Sequence, residues 1–230
     1  MKILALDSCM NTSSVALLED EKLISLYTVN TSNTHSETLL PMIKDMLATA
    51  DTDIDEIDAY AVSYGPGSFT GVRIGVSTVK GLAFGRNKVC AEVSTIEALA
   101  TNLEGFEGII CPVMNARRGQ VYTGIFKGEK RLMDDECMML SDLAPILENY
   151  GERIYFVGDG YDLAMEYNIK GACHTPECLR YANGYSVGKA AFKKLARGEG
   201  VSDAQLRVNY LRKPQAERER EEKLRSEGKI

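Results

Sequence analysis

The sequence predicts an α/β protein built as two tandem lobes, and three observations carry that prediction. Short apolar runs of strand character alternate with stretches of helical spacing along most of the chain. The first third reads strand, strand, strand, helix, strand, helix, and the second part echoes that order more loosely. Between them "NLEGFEG" (102–108) breaks the pattern with glycine and charge. The expected division is a first lobe over 1–104, a second over 105–214 and a charged tail over 215–230.

The elements follow in order. "KILALDS" and "SSVALLE" flank a polar turn, and "KLISLYTVN" follows the hairpin signal "EDEK". "SETLLPMIKDMLATA" (36–50) sets Leu39, Leu40, Ile43, Met46 and Leu47 at helical spacing, with Ser36 as its cap and Glu37 and Thr38 in the first turn. "AYAVSYG" has the continuous apolar character of a buried strand, and a glycine-rich loop then opens a second helix. "TIEALATNL" is a connecting helix that can pack on either lobe. In the second unit "GIICPVMNA", "QVYTGIFKG" and the stretch around "CMML" read as strands. A helix in "SDLAPILENY", a strand in "RIYFVGD" and a long helix in "NGYSVGKAAFKKLARG" complete it. Two β-β-β-α-β-α units in tandem describe a pair of ribonuclease-H-like lobes.

Composition excludes some function classes. Subtracting 33 acidic from 27 basic residues gives a net charge of −6. Without a basic stripe the chain is a poor candidate for gripping nucleic acid alone, so any RNA is expected to be held mainly by something else. No apolar run approaches a membrane span, and no signal-peptide core is evident at the N-terminus. The six cysteines form no CxxC pair and read as reduced thiols of a cytoplasmic protein.

The loop "GPGSFTGVRIG" (65–75) invites a phosphate-binding reading, but its details refuse it. A Walker A loop needs Gly-Lys-Ser/Thr at its end, and Gly71 is followed by Val72 and Arg73. The dinucleotide fingerprint fails because Thr70 stands where its third glycine belongs. Ser68 lacks the G-x-S-x-G frame of a nucleophile elbow, and two histidines leave few bases, so no catalytic residue is expected. In the helix that follows, Gly71, Gly75, Thr78, Leu82 and Gly85 make one face small. Each internal glycine costs roughly 0.8–1.0 kcal/mol against alanine. Such a face implies close approach of either the protein's own sheet or a second chain.

"GPGSFTGVRIGVSTVKGLA" (65–83), with "HSETLLPMI" (35–43), "NARRGQVYTGIF" (115–126), "ILALDSCMNTSSVALL" (3–18) and "YLRKP" (210–214), resembles the TsaB family, also called YeaZ. The matches span nearly the whole chain in family order. The resemblance implies the actin-like ATPase (ASKHA) fold. It implies a non-catalytic bacterial partner of TsaD, which transfers a threonylcarbamoyl group to the adenosine beside the anticodon of ANN-decoding tRNAs. TsaE with ATP completes that assembly; tRNA is reached indirectly through TsaD, and the protein self-associates when its partner is missing. The implied partner face comprises His35, Ser36, Leu39, Leu40, Ile43, Gly67, Phe69, Gly71, Arg73, Gly75, Val76 and Val79. On this resemblance the small face of the second helix meets a second chain.

A degenerate nucleotide cleft would be marked by Asp7, Thr12, Asn115, Arg117 and Arg118. Its first turn, Cys9-Met10-Asn11-Thr12, has no glycine to fold backbone amides around a phosphate. At the second, Asn115 replaces the aspartate common in this fold, and the two arginines occupy the turn, so ATP turnover is not expected. The transferase's metal motif has histidines four apart, whereas His35 is followed at that spacing by Leu39; "CHTPEC" (173–178) lacks a fourth zinc ligand. No metal and no cofactor are expected.

Overall fold

The computed structural model describes residues 1–31 and 33–212. The charged tail (215–230) and the end of "YLRKP" lie outside these residues. Among the described residues two five-stranded sheets form, and both have the same topology. In the first, β1 (Lys2–Asp7), β2 (Ser13–Glu19), β3 (Lys22–Val29), β4 (Ala59–Gly65) and β5 (Val89–Ser94) lie in the order β3-β2-β1-β4-β5. In the second, β6 (Ile109–Arg117), β7 (Gln120–Lys127), β8 (Lys130–Met139), β9 (Ile154–Val157) and β10 (Ala172–Cys173) give β10-β9-β6-β7-β8, the same order read from the other edge. In each sheet the first three strands pair antiparallel and the last two join in parallel.

Period-two alternation in the central strands assigns the layers. Leu4 and Leu6 of β1 and Val15 and Leu17 of β2 face α1 (His35–Thr49) and α2 (Phe69–Ala83). Ile3, Ala5, Ala16 and Leu18 point the other way, toward α3 (Thr95–Thr101) and α6 (Gly184–Ala196). Ile110, Met114, Phe126 and Val157 of the second sheet join that same core, so α3 and α6 form a layer shared by both sheets. Ile109, Cys111 and Val113 face outward to α4 (Leu140–Glu148) and α5 (Tyr161–Glu166). The connecting helix therefore packs on both lobes. The sequence places α6 in the 105–214 segment, yet it lies on β1 and β2. Gly188 passes so close to Leu18 that an added Cβ would strike its side chain.

Some elements differ from expectation. Helix α1 is capped by Thr34, whose backbone N–H donates to Glu37 Oε2 at 2.9 Å; Ser36 already lies inside the helix. The strand expected around "CMML" is the end of β8, which already begins at Lys130, because an edge strand exposes its charged side chains and hides the apolar signature. β5, α5 and β10, short or rich in small residues, carry no periodic signal of their own. All six cysteines are free thiols. No described helix is long and apolar enough to cross a membrane.

Candidate functional site

Helix α2 serves two features, a groove along its outward side and a cleft at its N-terminus. Its inward side is fixed by close packing. An added Cβ at Gly71 would fall on the Ser8 carbonyl oxygen, and one at Gly75 would lie 2.5 Å from Ser8 Oγ. Ser8 Oγ in turn donates to the Gly71 carbonyl at 2.9 Å. The approach these glycines permit is thus made by the protein's own β1–β2 turn, which corrects their assignment to a second chain. Val76, Val79 and Ile43 are likewise core residues, at 4%, 0% and 3% exposure. The stripe of small residues follows the boundary between core and surface, so Gly71 and Gly75 turn inward while Thr78 and Leu82 reach the groove.

The groove between α1 and α2 is open, about 640 Å³, and mostly apolar. It brings together His35, Ser36, Leu39, Leu40 and Arg73 of the expected partner face. Thr78 and Leu82 of the small face read from helical spacing also line it; sequence reasoning missed Thr70, Ile74, Ser77 and Gly81, although steps of three and four from Thr70 along the same helix point to them. Leu40 stands at 54% exposure on its rim, while Leu39 one position earlier is buried. The ring of His35 is held at both nitrogens: Nδ1 lies 2.6 Å from Ser13 Oγ and Nε2 lies 2.9 Å from the Met10 carbonyl. His35 thus ties α1 to the β1–β2 turn.

The cleft, about 530 Å³, lies between the two sheets. Asn115 and Arg117 line it as expected; Arg118 occupies the tip of the β6–β7 hairpin with Gly119, both at positive φ. Asp7 and Thr12 do not face the cleft but are sealed within the protein at 0% and 1% exposure. Burial pushes the Asp7 carboxyl up to about 6, although its Oδ1 accepts the Cys9 N–H at 3.3 Å. Burial, with the Asp7 charge adding to it, holds the Cys9 thiol well above its ordinary value, which makes it a poor nucleophile. Gly67 and Phe69, expected on the partner face, line the cleft instead. Tyr122, Asp159 and Arg212 are cleft residues that the sequence reading did not single out. The "GDG" turn (158–160) after a buried strand was the available signal for Asp159, whose Oδ1 accepts the Asn115 N–H at 2.9 Å. Among the described residues no cluster of three or more His, Cys, Asp or Glu is placed to hold a metal.

A final segment joins groove and cleft. Val201 and Cys90 exchange backbone hydrogen bonds at 2.8 Å in both directions, and the Asn209 N–H donates to the Tyr64 carbonyl at 2.8 Å. Tyr210 stacks on Phe69 with centroids 4.3 Å apart and planes 12° from parallel. Arg212 Nη1 then donates to the Ala116 carbonyl of β6 at 2.5 Å.

The family model described as TsaD, tRNA N6-adenosine threonylcarbamoyltransferase, matches residues 29–173. A Bacillus subtilis protein named tRNA threonylcarbamoyladenosine biosynthesis protein TsaB is 32% identical over 94% of this chain and 96% of its own. A Pseudomonas aeruginosa crystal structure described as similar to peptidase YeaZ superposes with a TM-score of 0.81 at 28% identity, covering 92% of this chain and 99% of that one. Component A of the Acidaminococcus fermentans (R)-2-hydroxyglutaryl-CoA dehydratase shares the fold alone, with a TM-score of 0.55 at 10% identity over 85% of this chain and 99% of that one. The repeated sheet order, the two-lobed core and this full-length likeness lead to one conclusion: the chain belongs to the TsaB (YeaZ) family and has the actin-like, ASKHA-type fold.

Proposed function

We propose that this chain is a non-catalytic partner of a TsaD-type transferase in the threonylcarbamoyladenosine modification of tRNA, and that it docks through the α1–α2 groove. The observation that carries the reading is the groove itself, where Leu40 stands exposed beside Ile74 and Leu82 on a face that the described residues leave uncovered. The likeness of residues 29–173 to the transferase family supports it further, since related chains offer related faces to one another. Without its partner the same groove pairs two copies of this chain. TsaE and ATP join the assembled pair, tRNA is held chiefly by the transferase, and the complex works in the cytoplasm. The contribution to catalysis is a shift of the transferase toward its competent conformation.

The decisive experiment reconstitutes transfer with the cognate TsaD, TsaE, ATP and tRNA, with and without this chain. Transfer is expected only when the chain is present, together with a stoichiometric complex on co-purification. Full transfer in its absence, or steady Mg-ATP hydrolysis by the chain alone, contradicts the proposal.

A further inference from the structure

Among the described residues lining the groove, Arg73 is the one that is an arginine, lysine, aspartate or glutamate. Its guanidinium sits 4.3 Å from the Phe69 ring centroid and 5.6 Å from that of Tyr210, and its Nε donates to the Tyr210 hydroxyl at 2.6 Å. Among the described residues it meets no carboxylate, so both terminal nitrogens remain available to an incoming group. Among the described residues most other arginines that make polar contacts do so with carboxylates, as Arg86, Arg131, Arg153 and Arg197 do. A cation held against a stacked ring pair and hydrogen-bonded to one of its hydroxyls has lost part of its rotamer freedom, and its planar fork suits a carboxylate.

Resting on the docking reading above, we infer that Arg73 determines the specificity of this face by receiving a carboxylate from the helices of the TsaD-type partner. Tyr210 acts as its positioning residue. The final segment thereby belongs to the docking surface even though it lies outside α1 and α2. Its attachments at Val201, Asn209 and Arg212 deliver Tyr210 to Phe69, where its hydroxyl accepts the Arg73 Nε–H. Unlike the leucines, which accept any apolar neighbour, this cation rewards only a partner with an acid at the matching place.

The test measures binding of the full chain to cognate TsaD by calorimetry at low and high salt. Thermal melts confirm that each variant is folded. Arg73→Ala is expected to weaken binding about tenfold and to flatten its salt dependence, Arg73→Glu to weaken it further, and Arg73→Lys to recover only part. Tyr210→Phe is expected to weaken binding about threefold in the native background and not at all in the Arg73→Ala background. An acid-to-arginine change on the partner's docking helices should restore binding to Arg73→Glu. Leu40→Asp separates the two levels. If it abolishes binding while Arg73→Ala and Arg73→Glu bind as the native chain does, the role of Arg73 is overturned and the docking reading stands. If Leu40→Asp also binds normally, the docking reading falls and the inference falls with it.

Discussion

The cleft and the groove are served by one helix, yet sequence and structure treat them in opposite ways. At the N-terminus of α2 Asp7 and Thr12 have been withdrawn from the cleft, whose polar lining is left to Asn115, Arg117, Asp159 and Arg212. Asp7 is sealed in the core, and arginines stand where a glycine turn would be needed. Along the outward side of the same helix, apolar side chains remain at the surface although folding does not require them there. Buried carboxylates and exposed leucines both carry a cost. The cleft meets its cost by keeping Asp7 protonatable, whereas the groove meets its own only when another surface covers it. Where a protein tolerates each kind of misfit is therefore a guide to what the region is for.

Leu40→Asp probes that contrast most severely. A charge at the most exposed leucine of the groove should lower affinity for the cognate transferase at least about 100-fold, or about 2.7 kcal/mol. Arg117→Ala, in the cleft, should leave affinity within about twofold when both are measured by the same titration. Gly75→Leu strikes the inward side. With Ser8 Oγ 2.5 Å and Val62 Cγ2 3.4 Å from a mere Cβ, overpacking should cost about 2–3 kcal/mol, read as a lower denaturation midpoint of the isolated chain. A normal midpoint with lost partner binding would return Gly75 to the docking face.

Asp7→Asn sharpens the cleft side. The folded carboxyl titrates near 6, above its ordinary 3.8, so the folded state keeps a proton that the unfolded state has lost between those values. Stability should fall as pH climbs through that window and stay lower above it, by about 2–3 kcal/mol. The asparagine variant should flatten this loss, so its melting temperature gains on the native chain at neutral pH but not in the acid range. The smallest effect concerns the layer between the sheets. Glu104 pairs with Lys189 and Lys193 of α6, and although its burial opposes ionisation, those lysines hold its carboxyl down to about 2. Its contribution is complete above the usual glutamate range and is lost as pH falls toward 2. Glu104→Gln should cost about 1 kcal/mol at neutral pH, measured by denaturant titration, and less in acid.

The strands that anchor each sheet were legible because β1, β4 and β6 are buried on both sides and read as unbroken apolar runs. What escaped was governed by distant neighbours. β5 is a strand because β4 lies beside it, and Val201 pairs with it from far along the chain. Thr34 rather than Ser36 caps α1 because Glu37 returns to the Thr34 amide, a choice that spacing alone leaves open. For the candidate site, helical spacing gives each helix a shared face but leaves the direction of the glycine stripe open. Helical spacing says that Gly71 and Gly75 share a side with Thr78 and Leu82 without saying where the sheet lies. Tyr210 reaches Arg73 across 137 residues and Arg212 reaches Ala116 across 96, beyond the reach of any local pattern.

Because α6 covers Ala16 and Leu18, the first lobe cannot finish on the ribosome when its own sheet has been made. Roughly ninety further residues must be synthesised after β5 before α6 arrives, on the order of 5–20 s at ordinary elongation rates. For that interval one side of the first sheet has α3 but lacks the cover of α6, and nascent chains stalled before residue 184 should be the ones that chaperones retain.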